Sequence, residues 1–171
     1  EFRRVLFRSM ETLQQKLNLA EIQRHMIEMV EKAIEIIRAN CGDVKAQVKV
    51  SYAGKNDDCV TIADKLAQEM YLVEIRKHFP TFGIIAEEQE LTIPCTDEHF
   101  DIYFTIDPLD GTKEFIARNG QFTVNIALVV DSMPLLGVVH VPVSDETYLG
   151  VDKSIAKDQV TRAEKYLAGV K

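Results

Sequence analysis

The chain has 171 residues, an apolar fraction of 46% and a net charge of −7. That length suits one domain with a sizeable core. The acidic balance argues against non-specific binding to nucleic acid or to an anionic membrane, since both require a basic patch. No apolar run approaches the ~20 residues that span a bilayer. The three widely spaced cysteines, Cys41, Cys59 and Cys95, fit neither a disulfide framework nor a zinc CxxC pattern. Reduced thiols in a cytosolic protein are the simplest reading.

Residues 1–9 (EFRRVLFRS) are basic and apolar and precede a plausible start at Met10. They are too short for a signal peptide and read as an artificial assembly scar. Apolar residues then recur at three- and four-residue steps over 19–40, which predicts a helix closed by Asn40 and Gly42. Residues 44–52 alternate loosely like a strand, and 53–59 read as a polar turn or hairpin tip. A second helix is expected over 61–78, capped by Thr61 and ended by Pro80, with Ile62, Leu66, Met70, Val73 and Phe79 on its buried side. Residues 82–86 predict a short strand, 91–99 a loop, and 100–106 a strand with strict alternation. A short helix follows over 113–118. The runs 122–130 and 135–143 are rich in Val, Ile and Leu and predict an antiparallel hairpin in a sheet covered on both faces. A last strand is expected near 148–151, then a charged tail over 152–171 that can be helical. The order predicts an α+β domain over 10–151, with helices layered on a largely antiparallel sheet.

The chemistry gathers at Asp107-Pro108-Leu109-Asp110-Gly111-Thr112, where a strand turns into a helix. Glu87 and Glu88 end the preceding strand. If the two strands are neighbours, three or four carboxylates converge. Like charges ~4 Å apart repel by roughly 4 kcal/mol at an effective dielectric of ~20, so such a cluster calls for cations. Oxygen ligands without His or Cys favour Mg²⁺ over zinc, and a paired Mg²⁺ site suits phosphate-ester hydrolysis. Gly111 lets the backbone come close, and the N–H groups of Gly111 and Thr112 can hold phosphate oxygens at a helix start. The Thr112 hydroxyl can relay a proton from water to a carboxylate, with Asp64 a candidate partner. Each piece also has a plainer reading. The hexad is common turn chemistry, the Glu87-Glu88 run a solvated loop, and Asp64 an acid at the positive end of a helix dipole. The four histidines, at 25, 78, 99 and 140, match no ligand spacing and read as structural.

Taken together, DPLDGT over 107–112, Glu87-Glu88 after an apolar strand, and Val60-Thr61-Ile62-Ala63-Asp64 opening a helix resemble the inositol monophosphatase superfamily in order and spacing. The extension Lys113-Glu114-Phe115, with Asn119 to Leu128 behind it, looks most like the bacterial 3'(2'),5'-bisphosphate nucleotidases of that group. The resemblance implies the N-terminal domain of the sugar-phosphatase fold, with the C-terminal domain absent and 152–171 its truncated start. It also implies a Mg²⁺-dependent, lithium-inhibited phosphatase using two or more ions. Glu87, Asp107 and the carbonyl of Leu109 would hold the first ion, and Asp107 with Asp110 the second. Asp64 and Thr112 would activate the water, with Glu88 supporting and Lys55 a weaker phosphate or metal-water contact. The expected substrate is small and phosphorylated, adenosine 3',5'-bisphosphate, as part of sulfate assimilation. Alternatives are inositol phosphate hydrolysis, or a non-catalytic metal-binding fragment. No nucleic-acid polymer and no transmembrane segment are expected. A homo-oligomer remains open, as does a peripheral place at the inner membrane face for a cytoplasmic protein. Asp58-Cys59 replaces the Ser-Pro that usually precedes Val-Thr, and no Trp is present to match the Trp-Asp motif of a second domain.

Overall fold

The computed structural model describes residues 17–42, 47–49, 58–88, 91–96 and 101–151. The 1–9 scar, Lys55, His99 and the charged tail over 152–171 lie outside the described residues. Helix α1 (Leu19–Asn40) is followed by β1 (Gln47–Lys49) and β2 (Asp58–Val60), then α2 (Ile62–His78), β3 (Gly83–Ala86), β4 (Leu91–Ile93) and β5 (Ile102–Asp110). Helix α3 (Thr112–Ala117) leads to β6 (Thr123–Val130), β7 (Met133–Val141) and β8 (Glu146–Val151). Helix α1 begins where Asn18 Oδ1 accepts the Glu21 N–H at 3.3 Å, satisfying one of the donors that a helix start leaves open.

Strands β1 and β2 pair as a two-stranded ribbon, and the main sheet has six strands in the order β4-β3-β5-β6-β7-β8. Every pair in it is antiparallel except β3 with β5. Paired residues share a face of the sheet. Ile84, Phe104, Leu128 and Leu136 form one cross-strand row, and Ala86, Ile106, Ile126 and Val138 form the next. All eight are buried. Helices α1 and α2 pack on each other, α1 over β6 and β7 and α2 over β5. The α+β, largely antiparallel architecture expected from the sequence is the one observed.

Four local expectations are corrected. The segment 91–99 is not all loop, because Leu91–Ile93 adds an antiparallel edge strand to β3. So short a run becomes a strand only because an open sheet edge is there to pair with. Strand β5 runs through the first residues of the hexad to Asp110, with an irregularity between Asp107 and Asp110. The hexad is therefore a strand end rather than a free turn. Helix α2 buries a different set of residues from the one expected. Ile62, Leu66 and Val73 are exposed, Met70 and Phe79 pack half-buried against the core, and Ala63, Asp64, Ala67, Gln68, Tyr71 and Ile75 are buried. Small residues let α2 approach its neighbours closely, which outweighs the larger apolar stripe. Finally, the sheet is not covered on both faces by the described residues. Its second face carries the row Asp107, Asn125, Val139, Tyr148, with Val139 38% and Tyr148 57% exposed.

Candidate active site

The one parallel pair decides where the acids meet. Ala86 lies opposite Ile106, so Glu87, leaving the end of β3, comes beside Asp107, which is still within β5. The Glu87 N–H donates to the Ile106 carbonyl at 3.2 Å. The Glu87 and Asp107 side chains share a hydrogen bond, and the Asp107 pKa is pushed up to about 8. Burial is the largest cause, then the charge of Glu87 and the shared hydrogen bond, then the charge of Asp110, against a lowering contact from the Leu109 backbone.

Asp64 is 1% exposed in the first turn of α2. Its Oδ2 accepts the Thr61 N–H at 2.8 Å and also the Thr61 hydroxyl. This is a capping box closed by Asp. Oδ1 is left to accept the Thr112 hydroxyl at 3.1 Å, across 48 residues of sequence. Thr112 Oγ1 also lies 3.2 Å from the Leu109 carbonyl oxygen. Gly111 stands at φ 92° between β5 and α3. That backbone turn sets the Thr112 hydroxyl against Asp64 while Asp110 stays at the strand end.

Of the other polar groups of the site, only Glu88 carried a sequence signal. Gln68, one turn beyond Asp64, donates from Nε2 to the Glu88 carbonyl and ties α2 to the end of β3. Tyr71 is wholly buried, and burial and the negative charge of Asp107 push its hydroxyl pKa up. Glu88 is 3% exposed and therefore no part of a solvated loop. Asn125 sits opposite Asp107 and donates from Nδ2 to Asp110 Oδ2 at 3.4 Å. Helical spacing alone makes 64, 68 and 71 one stripe, but polar residues at such spacing usually face water.

The donor set suits a hard cation. It consists of carboxylates, a backbone carbonyl and a hydroxyl, and one acceptor, Asp107 Oδ1, is buried without a hydrogen-bond partner. Among the described residues no group of three His, Cys, Asp or Glu side chains is placed to hold a metal ion. The fit rests on the chemistry of the donors and on that unpaired oxygen. The three described histidines take structural contacts. The His25 and His78 rings lie tilted against each other with centroids 4.1 Å apart, and His140 Nδ1 meets Thr147 Oγ1 at 2.9 Å. Cys41 and Cys95 are in no disulfide. Among the described residues no helix is long and apolar enough to cross a membrane.

Two helices on a mixed six-stranded sheet, with acids at the ends of its parallel pair, form a fold shared with known phosphatase structures. The chain is similar to CysQ from Bacteroides thetaiotaomicron, with a TM-score of 0.60 and 36% identity over 80% of this chain and 48% of that one. It is also similar to the Thermotoga maritima IMPase, with a TM-score of 0.64 and 31% identity over 77% and 48% of the two chains. The inositol monophosphatase family profile matches residues 18–164, and the chain belongs to that family. A curated relative, the 3'(2'),5'-bisphosphate nucleotidase CysQ of Salmonella typhimurium, is 40% identical over 139 residues, which is 77% of this chain and 55% of that protein. The chain thus spans about half the length of the curated relatives it matches.

Proposed function

We propose that this chain carries the acid and proton-relay half of a Mg²⁺-dependent phosphomonoesterase that removes the 3'-phosphate of adenosine 3',5'-bisphosphate. The observation that carries the reading is the Thr112–Asp64 hydrogen bond of 3.1 Å beside the Glu87–Asp107 pair. The choice of nucleotide rests on the similarity to proteins named 3'(2'),5'-bisphosphate nucleotidase. Glu87, Asp107, Asp110 and the Leu109 carbonyl would hold the cations, which when bound supply charge neutralisation for the phosphoryl group and acidify water.

The chain's own residues handle the proton. With its hydrogen donated to Asp64 Oδ1, Thr112 Oγ1 keeps lone pairs free to accept a proton from water on its other side. As that water attacks phosphorus, its proton moves to Thr112 Oγ1 and the Thr112 proton moves to Asp64. The phosphorus–ester oxygen bond breaks, and the leaving oxygen takes a proton from solvent. Thr61 holds Asp64 Oδ2, so the acceptor oxygen does not rotate away. The N–H groups of Gly111 and Thr112 cradle phosphate oxygens. Glu88 would support the pair from a buried position, and Lys55, outside the described residues, is a weaker candidate for contacting phosphate or a metal-bound water.

Phosphate release from adenosine 3',5'-bisphosphate, with and without Mg²⁺, tests the reading. Thr112→Ala should lower kcat by about 10²–10⁴ with KM little changed, and Asp107→Asn should abolish the Mg²⁺ response. Undiminished release by Asp107→Asn would overturn the site assignment. A second reading is favoured by the half-length match: the 171-residue chain binds Mg²⁺ without turnover. Calorimetric Mg²⁺ binding with no phosphate release, from this substrate or from inositol phosphate, would establish it.

A further inference from the structure

Asp107 and Asn125 form a direct cross-strand pair on β5 and β6, so their side chains stand on the same face of the sheet, about 5 Å apart at Cβ. Each has an oxygen, Asp107 Oδ1 and Asn125 Oδ1, that is buried without a hydrogen-bond partner. The orientation of the Asn125 amide follows from chemistry. Its other end lies 3.4 Å from Asp110 Oδ2, and only the NH₂ group can donate to a carboxylate. Turning the amide over would set oxygen against oxygen. The irregularity in the β5–β6 ladder falls between Asp107 and Asp110. Pairing resumes at Asp110 with Thr123, so three residues of β5 stand against two of β6, and this shift returns Asp110 to the face that carries Asp107 and Asn125.

We propose that Asn125 is a positioning residue of the acid site: its Nδ2 holds Asp110 beside Asp107, and its Oδ1 adds a neutral oxygen facing the same space. The role toward a cation rests on the function proposed above; the tether to Asp110 does not. Buried acceptors without a partner are costly unless a donor or a cation serves them. A neutral amide contributes such an oxygen without adding a further negative charge to three carboxylates.

The test uses the full chain and two variants that keep the strand intact, Asn125→Ala and Asn125→Asp. In metal-free buffer at neutral pH, Asn125→Asp should lower the urea midpoint below that of Asn125→Ala, because it sets a carboxylate against Asp110. Placing both variants in an Asp110→Asn background should shrink that gap. Calorimetry with Mg²⁺ should then give about tenfold weaker binding for Asn125→Ala, the size of a lost supporting contact, while a merely structural asparagine would leave it unchanged. If the two variants have equal midpoints, or the gap persists in the Asp110→Asn background, the tether is wrong. A gap that closes as expected, with Mg²⁺ affinity unaltered by Asn125→Ala, overturns the positioning role. If the wild-type chain binds no Mg²⁺ yet the gap behaves as stated, the cation reading falls and the tether stands.

Discussion

Asp64 illustrates how one residue can serve the fold and the site together. One carboxylate oxygen closes the start of α2 through Thr61 while the other meets Thr112. Its sequence context signalled the cap and suggested the Thr112 partnership, and the structure brings the two within hydrogen-bond distance. The roles of Lys55 and Glu88 were read from resemblance alone; Lys55 lies outside the described residues, and Glu88 proves buried. Gly111 is the residue on which the geometry turns. At φ 92°, a Cβ there would also lie 2.8 Å from the Gln121 carbonyl oxygen. Gly111→Ala should therefore destabilise the chain by roughly 1–3 kcal/mol and displace Thr112 from Asp64. A urea titration that returns the wild-type midpoint would refute this.

At the level of elements, α2 is where the sequence was most misleading. Its larger apolar residues suggested a buried face, yet Val73 is 60% exposed and Ala67 wholly buried. Periodicity reports which residues share a face, not which face lies against the sheet. The alanines permit close packing, and the stripe of Asp64, Gln68 and Tyr71 then reaches the strand ends. Enlarging the buried position should cost more than truncating the exposed one. Ala67→Leu is expected to destabilise by about 1–3 kcal/mol through overpacking, and Val73→Ala to stay within ~0.5 kcal/mol. Denaturation midpoints of the two variants decide it, and the reverse ranking would restore the sequence-based face.

For the molecule as a whole, the sheet has a helix-covered face and a second face with exposed apolar residues. Ile85 is 41%, Val139 38% and Tyr148 57% exposed on that second side. Apolar surface on a sheet face that the described residues leave uncovered favours association between copies. We expect the 171-residue chain to self-associate with concentration in sedimentation experiments, and Val139→Lys with Tyr148→Lys to suppress it. A concentration-independent monomer in the wild-type chain would count against this.

Local sequence foretold the type of most described elements, with β4 an exception, and singled out the acids as candidates for one site. Periodicity and turn chemistry are local properties, and two aspartates with Gly and Thr at fixed spacing carry their chemistry wherever the chain places them. Helix α1 spans the same residues, Leu19–Asn40, as its apolar spacing predicted. Only the tertiary structure decided that β3 runs parallel to β5, which sets Glu87 beside Asp107, and that β6 brings Asn125 opposite Asp107. Strand order and register arise from long-range pairing, and no window of neighbouring residues encodes them. The same holds for the burial of Gln68 and Tyr71, since a polar residue's place inside depends on what packs against it.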